Sequence, residues 1–410
     1  MTHAHVPADD EDRQFPYWRR NLRVLPVANF LCSMGYALSW PFLPLMLRGL
    51  GAAGSLETWV GYIMLGFNVI GFAISPIWGD IADHYGRKIM VLRAMLGMGC
   101  VMMLVPLAQT PLWFAAMVIA IGFFYGYMNA TMALLVANTP PRRIGSALAL
   151  AQGGGLFGQT IGPAAGALLA ATVEQQHAMF WVSGGMMLAG GLLVALFVRE
   201  RRQTVDGPWR PDWMGSLRDI LAVRAMAPLY LLAFLFAALW YGNVTIVSIY
   251  MLELLDAAPA PAGSAAFWVG AAAIGLAVTS IVAMPLWGRA LDRFGPAPVL
   301  LIATAAAALT HAPLVLLQSP LQLVVARIAF GLACAAMLPA IIQLIRIHAP
   351  TGKDARAIAY ASSFQCVGMG LVPFSAGLIG PWLGLRSYFA LCTALTVAAL
   401  VFWLRARRRA

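Results

Sequence analysis

Apolar stretches separated by short charged or Pro/Gly-rich breaks recur along the 410-residue chain. The first six lie at about 24–47, 58–78, 89–108, 112–136, 145–171 and 178–198. The second six lie at about 226–251, 267–287, 297–317, 321–345, 357–380 and 388–404. About 20 apolar residues in a helix suffice to cross the hydrocarbon core of a bilayer. The pattern therefore predicts an all-α polytopic membrane protein with twelve transmembrane helices in two pseudo-symmetric six-helix bundles. The expected organisation is a tail at 1–23, a bundle at 24–198, a charged linker at 199–224, a second bundle at 225–404 and a basic tail at 405–410.

Composition narrows the class further. With 61% hydrophobic and 10% charged residues and a mean hydropathy of +0.78, the chain is not a soluble domain. Its net charge of +11 would suit a nucleic-acid binder only if the basic residues shared one patch. They sit instead in alternate loops: of 27 Lys and Arg, 24 fall on one side with both termini, Arg48 and Arg386 fall on the other, and Arg327 lies within a span. The positive-inside rule then places both termini in the cytoplasm of a cell whose inner membrane the protein spans. Residues 1–20 carry Asp9, Asp10, Glu11 and Asp12 without a signal-peptide cleavage site, and read as a cytoplasmic tail. Cys32, Cys100, Cys334, Cys366 and Cys392 fall inside apolar runs with no CxxC pair, as packing residues do, and no metal site is expected.

An internal repeat supports the division into halves. Pro76, Trp78, Gly79, Asp83 and Gly86 recur 209 residues later as Pro285, Trp287, Gly288, Asp292 and Gly295. Pro111 and Gly122 recur at the same offset as Pro320 and Gly331, and one residue of slippage pairs Gly158 and Pro163 with Gly368 and Pro373. Two halves of the same orientation, with a site near the midplane between them, suit a rocking transporter.

Between spans 2 and 3 stands Gly79-Asp80-Ile81-Ala82-Asp83-His84-Tyr85-Gly86-Arg87-Lys88, with Arg93 beyond it. Two glycines permit a tight turn, and Asp83 is able to meet a helix N-terminus or an arginine across the interface. Here the chain resembles the major facilitator superfamily, in which this loop is a conformational latch. The resemblance implies latch roles for Gly79, Asp80, Asp83, Gly86, Arg87 and Lys88, and for Asp292 in the partial copy, which has Pro296 and Ala297 in place of the Arg-Lys pair. Span 5 contains Gly158-Gln159-Thr160-Ile161-Gly162-Pro163-Ala164-Ala165-Gly166. Its small residues four apart let helices approach closely, and Pro163 kinks the span. This stretch is similar to the antiporter motif of the twelve-span drug:proton antiporters, which implies export for Gly158, Gly162, Pro163 and Gly166; a purely structural glycine face is the other reading.

Two departures bear on substrate. The arginine usual in span 4 of the family is replaced by Val118, whereas Arg327 keeps that spacing in span 10. A guanidinium inside the bilayer needs compensation, either by an anionic or hydrogen-bonding substrate group or by snorkelling and backbone carbonyls. No Asp or Glu falls in the middle of any span, so proton coupling is an implication of the resemblance alone; His311 reads as a packing residue or as a titratable one. Helical spacing collects Asn29, Ser33, Tyr36 and Trp40 on one face of span 1, Trp240, Asn243 and Tyr250 in span 7, and Tyr125, Asn129 and Met132 in span 4. Ser362, Ser363 and Gln365 add polar groups in span 11. These faces either line a wet cavity or satisfy neighbouring helices.

The expected function is secondary active export of small molecules by alternating access, with protons as the coupling ion, no cofactor, and a monomer in the bilayer. No GxxxxGK[ST] loop is present to supply ATP chemistry, and no nucleophile–base pair or paired carboxylates within the spans suggest an enzyme. Multidrug-type efflux is the first reading. A dedicated exporter of a polar or anionic metabolite such as a siderophore is the second, and a lipid flippase or non-transporting sensor the third.

Overall fold

The computed structural model describes residues 15–140, 143–172, 178–200, 218, 221–223, 225–257, 264–350 and 354–408. Every regular element among them is helical. In chain order these are α1 (Trp18–Gly49), α2 (Leu56–Tyr85), α3 (Arg87–Leu104), α4 (Pro111–Asn138), α5 (Ile144–Thr172) and α6 (Met179–Phe197). The second set is α7 (Met226–Ala257), α8 (Ser264–Phe294), α9 (Pro296–His311), α10 (Pro320–His348), α11 (354–383) and α12 (385–408). The last two are one helical run bent at Gly384, whose φ of 75° is a left-handed conformation that glycine adopts without strain. Most of the expected tail at 1–23 and of the expected linker at 199–224 lies outside the described residues.

Why these stretches form helices with these ends is local chemistry. Thr110 caps α4 by accepting from the Trp113 amide, and Ser319 caps α10 in a full capping box with Gln322. Pro111, Pro296 and Pro320 stand at first helical positions, where a missing N–H costs nothing. Four spans are interrupted. A 3₁₀ turn at Trp40–Phe42 divides α1, Gly126 at φ 110° breaks α4, a π turn at Ala238–Gly242 widens α7, and a turn at Ala335 and Ala336 divides α10.

The core is apolar, as in a soluble protein, but so is much of the outer surface. Leu112, Leu168, Leu309, Leu316 and Trp382 are each more than two-thirds exposed, whereas Asn29, Ser33, Ser183, Asn243, His311 and Arg327 are buried. An apolar coat over helices whose backbone bonds are satisfied internally is what lipid demands. Among the described residues ten stretches are long and apolar enough to span a bilayer, and one of them, Tyr360–Arg405 at 46 residues, carries both α11 and α12. The protein is a multi-pass membrane protein.

Packing repeats between the halves. Helix α1 lies on α5 as α7 lies on α11, and α2 lies on α4 as α8 lies on α10. The halves meet through α2 against α11 and α5 against α8.

Candidate functional site

Glycine sets how closely α5 approaches α1. Gly154, Gly158, Gly162 and Gly166 form a stripe four residues apart that faces α1 backbone. A methyl group added at Gly158 would sit 2.8 Å from the Met34 amide nitrogen, and one at Gly162 would sit 2.8 Å from the Met34 carbonyl oxygen. At Gly154 and Gly166 it would collide with the carbonyls of Pro26 and Leu38. The antiporter-like motif is thus a helix–helix contact at backbone range, with Pro163 buried inside it.

In the first half, α1 and α4 bring together most of the polar and aromatic residues that the spacing singled out. Tyr36 stacks near Trp40 (5.0 Å) and Tyr125 (6.3 Å), and Phe67 joins both Trp40 (5.1 Å) and Tyr125 (5.3 Å). The buried Trp40 Nε1 has no hydrogen-bond partner among the described residues. Ser33 shares a hydrogen bond of 2.8 Å with the Tyr127 hydroxyl, and Asn29 Nδ2 donates to the Ala151 carbonyl at 3.4 Å. Asn129 is not part of this group; beyond the break in α4 it is exposed, and Met132 is half-buried.

The second half holds a different cluster. Asn243 follows directly on the π turn of α7, a distortion that re-aims the side chains after it. Its Oδ1 accepts from the Tyr388 hydroxyl on α12, and its Nδ2 lies 3.2 Å from His311 Nε2 on α9. Arg327 on α10 reaches the same region: its guanidinium lies 5.5 Å from the centre of the Phe330 ring, and the His311 ring packs on Phe330 at 5.1 Å. Asn243, His311, Arg327 and Tyr388 are all at most 2% exposed. Among the described residues nothing accepts from Arg327 Nε or Nη1, and His311 Nδ1 has no partner. Tyr250 instead ties α7 to the α9–α10 connection, donating to the Leu314 carbonyl at 2.9 Å, while Trp240 stacks on Phe236. On α11, Ser362 is exposed and Ser363 and Gln365 are half-buried.

At the end of the molecule that carries the α2–α3 turn, Gly86 has φ 105°. The Glu200 carboxylate accepts from the amides of Arg87 (2.9 Å) and Lys88 (2.8 Å), so it satisfies the N-terminus of α3 and opposes its positive dipole end. The Arg87 guanidinium donates to the Ala133 carbonyl and Lys88 Nζ to that of Ala195. Arg93 stacks over Trp78 at 4.1 Å. The backbone of Gly79, Asp80 and Asp83 is helical, and the side chains of Asp80 and Asp83 lie outside the described part of the structure; Asp292 is exposed.

At the opposite end, which carries Arg48, the halves are in close contact. Arg48 pairs with Asp256 at 3.1 Å, and the Thr58 hydroxyl donates to the Gly377 carbonyl at 2.9 Å. A methyl group added at Gly61 would lie 3.0 Å from the Pro373 carbonyl, and one at Gly270 would collide with Ala167. Contact through α2–α11 and α5–α8, at backbone range for α2–α11, holds the halves together at this end.

The model of the Major Facilitator Superfamily matches residues 27–283 and again 229–410. The chain belongs to the major facilitator superfamily. Among its relatives in this superfamily are proteins named multidrug resistance protein MdtG. That of Citrobacter koseri is 30% identical over 398 residues, 96% of each chain, and that of Salmonella typhimurium is 29% identical over 399 residues, again 96% of each. Among solved structures, the nucleoside transporter NupG superposes with a TM-score of 0.73 at 13% identity, covering 94% of this chain and 98% of that one. A bacterial homolog of the human lysosomal transporter Spinster, in an inward-facing and unoccupied conformation, gives 0.74 at 14% identity, covering 96% and 97%. These structural likenesses establish the fold, and the superfamily makes the chain a membrane transporter.

Three residues that matter to this geometry are absent from the motifs. Gly154 extends the stripe one turn beyond the motif, and its four-residue spacing was available as a signal. Glu200 and Tyr388 act on partners 113 and 145 residues away in sequence, a separation that no local pattern encodes.

Proposed function

We propose that the protein exports structurally varied, largely apolar small molecules from the cytoplasm in exchange for protons, as a monomer in the inner membrane with both termini cytoplasmic. The observation that carries this reading is the full-length relation, about 30% identical over 96% of both chains, to proteins named for multidrug resistance. The aromatic group of Tyr36, Trp40, Phe67 and Tyr125 offers faces for such molecules. With the basic loops inside, the Arg48 end, where the halves are held together, faces outward, so the substrate path opens to the cytoplasm in this conformation. The Gly79–Lys88 segment, the end of α2 and its turn at Gly86 with Asp83, serves as the latch that favours the alternative, outward-open state.

Everted membrane vesicles energised to a proton gradient test this directly. Addition of a transported drug should partly collapse the gradient in vesicles containing the protein, and Asp83→Asn should abolish that response while leaving the protein inserted. A panel of drugs that leaves the gradient unchanged in wild-type vesicles would refute multidrug:proton exchange. The buried, positively charged cluster around Arg327 favours a second reading, export of an anionic metabolite. Comparing the spent medium of deletion and complemented strains by mass spectrometry, with and without iron, separates the two.

A further inference from the structure

The cluster in the second half is rich in hydrogen-bond donors and short of acceptors. The Tyr388 hydroxyl donates to Asn243 Oδ1, which orients the amide so that Nδ2 donates to His311. His311 Nε2 must then carry a lone pair, and the imidazole proton of the neutral ring resides on Nδ1. That Nδ1–H is buried without an acceptor, as are Arg327 Nε and Nη1, among the described residues. Three N–H donors, two of them on a charged guanidinium, thus stay unpaired on α9 and α10, whose His311 and Arg327 both lie against Phe330. The cluster itself contains no carboxylate: it consists of Asn243, His311, Tyr388, Arg327, Phe330 and Phe389. An uncompensated guanidinium in such surroundings is costly, and the arrangement gains most from one compact acceptor of negative charge.

We infer that Arg327, His311 and the Asn243–Tyr388 pair form a binding site for a single small monoanion inside the second half. The ligand is a desolvated halide or the carboxylate of a small organic acid; both present compact negative charge to the same donors. Because Arg327 and His311 are 2% and 1% exposed, the site excludes bulky anions in this conformation. Tyr388 and Asn243 act as positioning residues, since they fix the imidazole tautomer and do not touch the anion.

Thermal unfolding of the purified, lipid-reconstituted protein tests the inference without reference to transport, so its failure is distinct from failure of the export reading. Titration of sodium chloride against sodium gluconate at constant ionic strength should raise Tm saturably, by about 1–2 °C at concentrations near tenfold Kd. Arg327→Gln should remove that dependence, whereas Arg386→Gln, a cation whose guanidinium instead donates to the Leu317 carbonyl, should keep it. Acetate substituting for chloride, with the same loss in Arg327→Gln, would make a carboxylate the ligand at this site. A wild-type Tm indifferent to chloride and acetate would overturn the proposal, as would a saturable shift that survives Arg327→Gln. Should Arg327→Gln yield no folded protein, anomalous scattering from a bromide-soaked wild-type crystal decides. A peak within hydrogen-bonding distance of Arg327 is expected, and no peak there would overturn the site.

Discussion

The two halves of the molecule share a scaffold and differ in what that scaffold encloses. Trp78 Nε1 donates to the Phe123 carbonyl at 3.0 Å, and 209 residues later Trp287 Nε1 donates to the Leu332 carbonyl at 2.8 Å. The caps at Thr110 and Ser319 keep the same offset, as do the left-handed glycines Gly86 and Gly295. So do Gly66 packed on Ile119 and Gly275 packed on Ile328, each with a contact of 2.9 Å to an added methyl group. Yet the positions of Arg327 and His311 correspond in the first half to Val118 and Met102, both fully buried. Caps, turns and backbone-range contacts leave little freedom for change, because each satisfies an obligatory group or fills a space with no slack. Interior side chains that contact neither lipid nor backbone are free to specialise. One half thereby presents an aromatic and glycine-lined face, and the other a buried, positively charged one.

The sharpest way to break this comparison is to copy the second half's charge into the first. Val118→Arg places an uncompensated guanidinium at a fully buried site among apolar neighbours, at a cost of at least a few kcal/mol, and should yield little folded protein by size-exclusion chromatography. The shared scaffold predicts equal injury from paired glycine changes. Gly158→Ala against Phe30 and Met34 and Gly368→Ala against Phe234 should each cost about 1–3 kcal/mol, read as similar losses in Tm. A change confined to one of the pair would contradict the structural equivalence of α5 and α11.

The α3 cap is a point at which the halves differ, since Pro296, which stands where Arg87 stands, has no amide to be satisfied. Glu200→Ala should therefore lower stability by about 1 kcal/mol in thermal melts, mainly by uncapping α3. The smallest effect is expected at Arg48–Asp256, whose side chains are 50% and 60% exposed. Arg48→Ala should change stability by less than about 0.5 kcal/mol, and a larger loss would give this ion pair a role in sealing the halves that its exposure argues against.

Much of this architecture is legible in the residues. Apolar periodicity and the 209-residue repeat foretell twelve helices in two related sets, and the four-residue spacing from Gly158 to Gly166 foretells a close helix contact. Less legible are the interruptions within spans. Gly126 breaks α4, while nothing in Ala238–Gly242 announces a π turn, because its geometry is decided by packing across helices and not by propensity. The company kept by single polar residues is the least legible. Asn29, Ser33 and Asn243 all belong to polar helical faces, and only the folded chain shows each engaged with neighbouring helices. His311 has one meaning alone and another beside Asn243 and Arg327, which lie 68 residues before it and 16 after it in the chain.

The central claim is that this superfamily member works by alternate closure of its two halves, sealed here at the Arg48 end. Cross-linking tests it most directly. In a variant with its five cysteines replaced, Arg48→Cys and Asp256→Cys should be joined across the halves by a short, reducible bis-thiol reagent. The account predicts that the joined protein loses drug transport in everted vesicles and regains it when the linker is cleaved. Undiminished transport with the two positions linked would contradict it.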